Sequence, residues 1–289
     1  MGIQGRLFIV GCPRSGTTLL QSLIAAHPNV ASFPESHFFV RLYSTRGWMR
    51  RLGLASRKAR SHMEAYVEAI GGGACYRHYA SPLMLRAATV CRTFIRTLDD
   101  LARRRGAAFW LEKTPRHLHH VADIEALVSN VHVIHLLRRG EDAIASLYHA
   151  MNTYPEQWGG PASLDACCGR WKRDVECSLK YLGEPGHTLV TYSQVVDQTE
   201  STLQKVADSV GFEYQPSMIE DYAEASEEVI QDDEKWKDAT NREIERRRSA
   251  KFRRLFDTEE QRDTIKRVRQ LNEDLRTLEG TPSEEKTPS

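Results

Sequence analysis

Five short apolar, β-prone runs punctuate the chain: LFIV at 7–10, VASF at 30–33, AFWLE at 108–112, VHVIHLL at 131–137 and TLVTY at 188–192. The stretches between them are longer and mix polar and apolar residues at helical spacing. Strands alternating with helices predict an α/β fold of three layers, with a parallel sheet of about five strands covered on both faces. The first helix is expected from about Thr17 to Ala26, its apolar face made by Leu19, Leu20, Leu23 and Ile24 and its end set by His27-Pro28. The gap between the second and third runs, 40–105, is too long for one crossover helix. It is Arg-rich, holds GGG at 71–73, and is expected to be a helical insertion capping one end of the sheet. The segment 236–257 is densely charged with weak periodicity, either a solvated surface stretch or a mobile anion-binding loop. Residues 258–278 predict a final amphipathic helix, and 279–289, EGTPSEEKTPS, a disordered tail. The expected organisation is one domain over 1–278.

Composition narrows the class. The 289 residues are 40% hydrophobic and 27% charged, a globular balance with enough chain for a core. Lys plus Arg is 40 and Asp plus Glu is 39, a formal net charge of +1 that argues against nucleic acid as a partner but leaves room for a local basic site. No apolar run approaches the ~18 residues that span a bilayer. A strand-like run begins at Leu7 with a glycine turn directly after it, which is no signal peptide, and Arg6 stands where myristoylation needs Ser or Thr. A soluble, cytoplasmic protein is expected. Six cysteines, at 12, 75, 91, 167, 168 and 177, form no C-x-x-C, so zinc-ribbon and thioredoxin-like readings fail and free thiols are expected.

The strongest local signal is FIVGCPRSGTTLL, residues 8–20. A β-run enters a turn holding Gly11 and Gly16, and a helix leaves it. Such a turn aims backbone N–H groups and a positive helix end at one spot, which suits an anion. The nucleoside-triphosphatase loop G-x-x-x-x-G-K-[ST] shares both glycines and their spacing, but Thr17 stands where its lysine belongs. The cation comes earlier, as Arg14. The run VHVIHLL leads into Arg138 and Arg139 rather than into an acid that would help hold Mg²⁺. The site therefore reads as a P-loop-type anion cradle of Arg14, Ser15, Gly16, Thr17 and Thr18 that works without metal. The plain alternative is a structural turn.

The second cluster is LLRRGEDAIASLYHA, residues 136–150. Arg138 ends a buried strand, Glu141 and Asp142 suit a helix start, and Ser146 lies inside that helix. Arg138 and Ser146 can both face a phosphate at the carboxyl edge of the sheet. Together the two clusters resemble the sulfotransferases that use 3′-phosphoadenosine 5′-phosphosulfate (PAPS). In that family the first strand–loop–helix binds the 5′-phosphosulfate, and an R-x7-S pattern, matched by Arg138 and Ser146, binds the 3′-phosphate. LVTYSQVVDQTESTLQKVADSVGF, 189–212, resembles the family's strand–Tyr–helix segment, which implies Tyr192 near the nucleotide. The match spans about 7–35, 110–115, 131–150 and 188–212. RSGTTLL…HPNV…PE is closer to the tyrosylprotein and carbohydrate-type enzymes than to the cytosolic phenol and steroid enzymes, which have Lys at Arg14 and a catalytic His where this chain has Pro115.

Sulfuryl transfer needs a base for the acceptor hydroxyl, cations at the bridging oxygen and in-line positioning. The resemblance implies Glu35 as base, at the end of VASFPE, and Lys113 with Arg14 as the cations. A surface glutamate in a proline turn is the bland alternative for Glu35, and His37 is an alternative base. Glu112 points away from Lys113 if the pleat persists. His117, His119 and His120 read as packing or solvated side chains rather than a metal site, and Trp158 and Trp171 as core. The family's C-terminal loop covers the adenosine, which brings in Trp236 and Lys251. Some relatives carry a further Arg where this chain has Ala150. The expected partner is a hydroxyl-bearing sugar, peptide, lipid or small molecule. The competing readings are a small P-loop kinase and a non-catalytic nucleotide-binding protein that keeps the fold.

Overall fold

The computed structural model describes residues 2–43, 47–81, 84–229 and 250–280. The chain begins with β1 (Gly5–Gly11), α1 (Thr17–Ala25) and β2 (Val30–Phe33). Next come α2 (Phe38–Leu42), α3 (Gly47–Arg51), α4 (Arg57–Ala69), α5 (Gly73–Tyr79) and α6 (Ala87–Arg104). β3 (Phe109–Lys113) leads through a 3-10 turn (Pro115–His120) and α7 (Val121–Leu127) to β4 (Val131–Leu137). After it lie α8 (Gly140–Thr153), α9 (Pro155–Trp158), α10 (Leu164–Leu179) and β5 (His187–Thr191). The remaining helices are α11 (Tyr192–Asp197), α12 (Thr199–Val210), α13 (Ser217–Glu220), α14 (Tyr222–Val229), α15 (Ala250–Leu255) and α16 (Thr258–Leu278).

The five strands form one parallel sheet in the order β2-β3-β1-β4-β5. Each coincides with an apolar run of the sequence to within two residues. β1 is central because it is apolar on both faces, as a strand covered on both sides must be. Leu7 and Ile9 meet Leu20, Leu23 and Ile24 of α1 and Leu203 and Val206 of α12. Phe8 faces the other way, with Phe33 and Trp110, onto Val90, Phe94 and Leu98 of α6. Burying each such side chain is worth roughly 1.5–3 kcal/mol.

That second face differs from the expectation for 40–105. The insertion was expected to cap an end of the sheet; its longest helix, α6, lies on a face and supplies a layer. Its apolar stripe, Val90, Phe94 and Leu98, packs it there, and a polar lock within the stripe holds it. Asp99 of α6 accepts from Arg6 Nε and Nη2 at 3.0 and 2.7 Å and from Trp110 Nε1 at 2.8 Å, tying the helix to β1 and β3. Glu279, the first residue of the expected disordered tail, is held by Arg139 at 3.1 Å; 281–289 lie outside the described residues, as does Trp236. All six cysteines are free thiols, five of them buried. No described helix is long and apolar enough to cross a membrane.

Candidate active site

The carboxyl ends of the strands meet at the turn after β1, and the backbone there is unusual. Gly11 has φ +150° and lies so close to Leu136 that a Cβ would overlap its carbonyl oxygen. Arg14 adopts φ 72°, a left-handed conformation rare for a residue with a Cβ. Gly16 has φ +100°, and a Cβ there would sit 2.5 Å from the Tyr192 ring. Glycine is thus required twice, by conformation and by the close approach of Tyr192. α1 starts at Gly16 without a side-chain cap, so its positive end is left for another partner.

Around this turn the structure gathers the residues of both sequence clusters. Arg138 donates from Nη1 to the carbonyl oxygen of Arg14 at 3.2 Å, and its guanidinium lies 4.2 Å from the centre of the Tyr192 ring. Trp171 is core, as expected, but its Nε1 also donates to the Arg138 carbonyl at 2.9 Å. Arg14 Nε reaches Ser146 Oγ at 3.4 Å, a long contact. Two buried polar atoms, Ser15 Oγ and Arg138 Nε, have no hydrogen-bond partner. A bound oxyanion is the kind of ligand that would satisfy them. Lys251, in α15, stands close enough to His149 to join Arg14 in lowering that imidazole's pKa, although burial is the larger cause.

The other candidate residues converge on the β2–β3 side. Register places Lys113 beside Ile9 of β1, at the carboxyl end of β3. Its Nζ, 2% exposed at the side chain, donates to Glu35 Oε1 at 2.6 Å and to Thr18 Oγ1 at 3.3 Å. Thr18 is in the first turn of α1, so this lysine links Glu35 to the anion cradle. His37 Nε2 lies 3.6 Å from Glu35 Oε2. Burial lowers the His37 pKa, against the opposing pull of Glu35 and Glu112, and favours a neutral ring.

Beneath this pair is a network that sequence reasoning missed. Glu112 points away from Lys113, as the pleat requires, and is fully buried. Its Oε1 accepts from Ser36 N–H at 2.8 Å and from Thr114 Oγ1 at 2.5 Å. His117, also fully buried, brings Nδ1 to 3.1 Å from Glu112 Oε2, near enough for attraction but not aligned as a hydrogen bond. Phe39 N–H donates to the other nitrogen of that ring at 3.2 Å, and His37 N–H to Thr114 Oγ1 at 3.2 Å. Burial alone would raise the Glu112 pKa. His117, Thr114 and the Ser36 N–H outweigh it and hold the carboxyl below its usual range. The loop carrying Glu35 is thus fastened at successive N–H groups. A glutamate and a histidine spaced i, i+5 around a proline turn are too common to announce this.

The histidine run is divided among separate carboxylates: His117 with Glu112, His119 with Asp174 at 2.8 Å and His120 with Asp123 at 3.3 Å. On the β4–β5 side a cleft of about 340 Å³ opens beside Arg138 and Tyr192, lined also by Phe252, Arg253 and Arg276. α16 braces it, with Asn272 accepting from Gly140 N–H at 2.9 Å and donating to Glu141 at 2.8 Å. Periodicity predicts α16, but not that a polar residue on its buried side would hold the start of α8.

No curated protein matches the sequence. Several solved structures share the fold. The sulfotransferase domain of the Synechococcus PCC 7002 olefin synthase superposes with a TM-score of 0.62 at 18% identity, over 94% of this chain and 96% of that one. The sulfotransferase domain from the curacin biosynthetic pathway gives 0.58 at 15%, over 93% and 99%. Mouse sulfotransferase SULT7A1, complexed with PAP, gives 0.51 at 12%, over 96% and 89%. A family model described as "Sulfotransferase family" matches residues 6–216, most of the chain. With the lysine-free anion turn and its surrounding arginines in place, the chain belongs to the sulfotransferase family, whose enzymes catalyse sulfuryl transfer.

Proposed function

We infer that the protein transfers a sulfuryl group from PAPS to a hydroxyl acceptor, with Glu35 as base and Lys113, together with Arg14, stabilising the bridging oxygen. The observation that carries this reading is the contact of 2.6 Å between Glu35 and a buried lysine that also touches Thr18 of the anion turn. The acceptor oxygen bonds to sulfur as the bond from sulfur to the 5′-phosphate oxygen breaks. The hydroxyl proton passes to Glu35. The electron pair stays on the leaving phosphate oxygen, where Lys113 and Arg14 meet the growing charge. Sulfate esters carry less charge than phosphates, so arginine, lysine and hydroxyl donors serve without a metal ion.

The residues present fit the donor. Ser15 through Thr18 take the 5′-phosphosulfate, Arg138 and Ser146 the 3′-phosphate, and the cleft beside Tyr192 and Lys251 the adenosine end. That a mouse sulfotransferase of the same fold is complexed with PAP supports a 3′-phosphoadenosine nucleotide as the donor. The acceptor sits between the edge bearing Glu35 and the 40–105 insertion of one domain spanning 1–278, in a cytoplasmic protein.

The test is a transfer screen with labelled PAPS and mixed hydroxyl acceptors, without added metal. Glu35→Gln is expected to keep its affinity for 3′-phosphoadenosine 5′-phosphate and lose about 10²–10⁴ in turnover. Full turnover in that variant would move the base elsewhere, with His37 first in line. Transfer only from magnesium-complexed ATP would overturn the reading and restore the kinase alternative.

A further inference from the structure

Charge is divided unevenly along this chain. Residues 40–105 hold 14 Lys or Arg against 4 Asp or Glu, a net of +10. The whole chain nets +1, so the remainder stands at −9. Within 41–60 there are seven Lys or Arg and no acid. A solvated helix face would account for the cations alone. It does not account for what they surround. Among the described residues, five large hydrophobic side chains are exposed, and three of them, Trp48 at 57%, Leu52 at 62% and Leu85 at 63%, belong to one unit of the insertion.

Backbone pairing ties the segments that carry these three into one unit. Leu52 N–H donates to the Trp48 carbonyl at 3.1 Å, which sets the two side chains one turn apart on the same face. Ala55 N–H donates to the Leu85 carbonyl at 2.9 Å and Ala87 N–H to the Gly53 carbonyl at 2.8 Å, while Leu54 bridges Arg86. The 85–86 segment thus lies along 53–55. Arg41, Arg51, Arg57, Lys58 and Arg86 are all exposed around this unit. Arg50 is turned aside onto Asp123 of α7, at 2.9 Å.

We propose that this unit docks on an anionic lipid bilayer, with Trp48, Leu52 and Leu85 entering the headgroup boundary and the ring of cations meeting acidic headgroups. Tryptophan is favoured at that boundary because its ring is apolar and its N–H stays wet. The cations add an attraction that acts within a Debye length of the surface. A soluble acidic chain would be matched by the arginines but gives no role to three exposed apolar side chains. A second copy related by a two-fold axis would bring the same positive ring against itself. The patch leads to the site. Ser56 Oγ, beside it, donates to the Arg41 carbonyl at 2.7 Å, and His62 of α4 holds the Ser36 carbonyl at 2.6 Å, next to Glu35. The docking does not depend on Glu35 being the base, so either can fail alone.

The full chain is to be sedimented with phosphatidylcholine vesicles, with and without phosphatidylglycerol. Binding is expected only with the anionic lipid, weakening as salt rises. Trp48→Ser with Leu52→Ser, and separately Arg51→Glu with Lys58→Glu, should each lower the partition coefficient about tenfold or more. Nucleotide affinity should be unchanged in both, which shows that the fold is intact. Equal sedimentation of wild type and variants would overturn the proposal. So would loss in the charge variant alone, binding to heparin without binding to vesicles, or a concentration-dependent dimer abolished by the Trp48 and Leu52 changes.

Discussion

On the β4–β5 side of β1 the candidate site is built on a strained backbone turn, to which Arg138 reaches across 124 positions, and on the β2–β3 side on a buried ion pair between side chains. The first side has two glycines at positive φ, an arginine at φ 72° and an aromatic ring seated on Gly16. Its parts follow closely on strand ends. The second side has Lys113 reaching Glu35 across 78 positions and Glu112 reaching Ser36 across 76. A backbone-built cradle binds by fixed dipoles that pre-exist the ligand. A side-chain pair instead holds charge in balance until a substrate shares it, which is what a proton transfer needs. The division predicts that damage on one side reads out as affinity and damage on the other as turnover.

After Glu35→Gln, the largest effect should follow Lys113→Ala. With Glu35 left in place, turnover is expected to fall about 10²–10³-fold while nucleotide affinity stays near wild type. Steady-state transfer and calorimetry on the same preparation check this. A change confined to affinity would put Lys113 with the cradle and dissolve the division. Glu112→Gln acts one layer further in. It turns an acceptor facing His117 into a donor inside a fully buried network, so urea unfolding should show a loss of about 2–3 kcal/mol. The Glu35 loop loosens with it, lowering turnover while affinity holds. The Glu112 carboxyl is held low, so its contribution is present above the ordinary carboxylate range and lost as pH falls through the folded value. The variant should therefore be closest to wild type in acid.

The same contrast explains what could be read in advance. All five strands and α1 are legible because period and turn residues are local properties. Gly16, Arg14 and the spacing from Arg138 to Ser146 are legible because a phosphate site built on backbone leaves a contiguous motif. Glu35 and Lys113 come through resemblance to a family, together with their places at the ends of the second and third apolar runs. Their pairing depends on β3 lying between β1 and β2, a matter of sheet order that no window of sequence carries. Asp99 is less legible still. It looks like one more charge in an amphipathic helix, yet it ties α6 to β1 and β3 on the face of the sheet.

On the cradle side, Arg138→Ala removes the cation over Tyr192 and, on the proposed placement, a charge-assisted contact to the 3′-phosphate. The dissociation constant for 3′-phosphoadenosine 5′-phosphate should rise at least about tenfold by calorimetry, with turnover at saturating donor falling less. Unchanged affinity would detach the second cluster from the nucleotide.

The smallest effect concerns a residue that spans the two sides. Asp174 of α10 accepts from His119, in the turn after β3, at 2.8 Å. It also helps to push up the pKa of Cys12 in the anion turn, second to burial. The hydrogen bond to Asp174 is the largest cause raising His119 to about 9. A raised histidine stabilises the fold fully below its unfolded value near 6.5, and that contribution is lost as pH climbs through about 9. The His119 side chain is half exposed, so solvent limits the pair to less than about 1 kcal/mol. His119→Gln should therefore shift the urea midpoint slightly at pH 6 and not at all above the folded value, leaving nucleotide affinity and turnover alone. A difference that does not change with pH would mean the charge on His119 does no work there. A change in affinity or turnover would mean that Asp174 transmits between the halves, and that the backbone-built and side-chain-built sides are not independent.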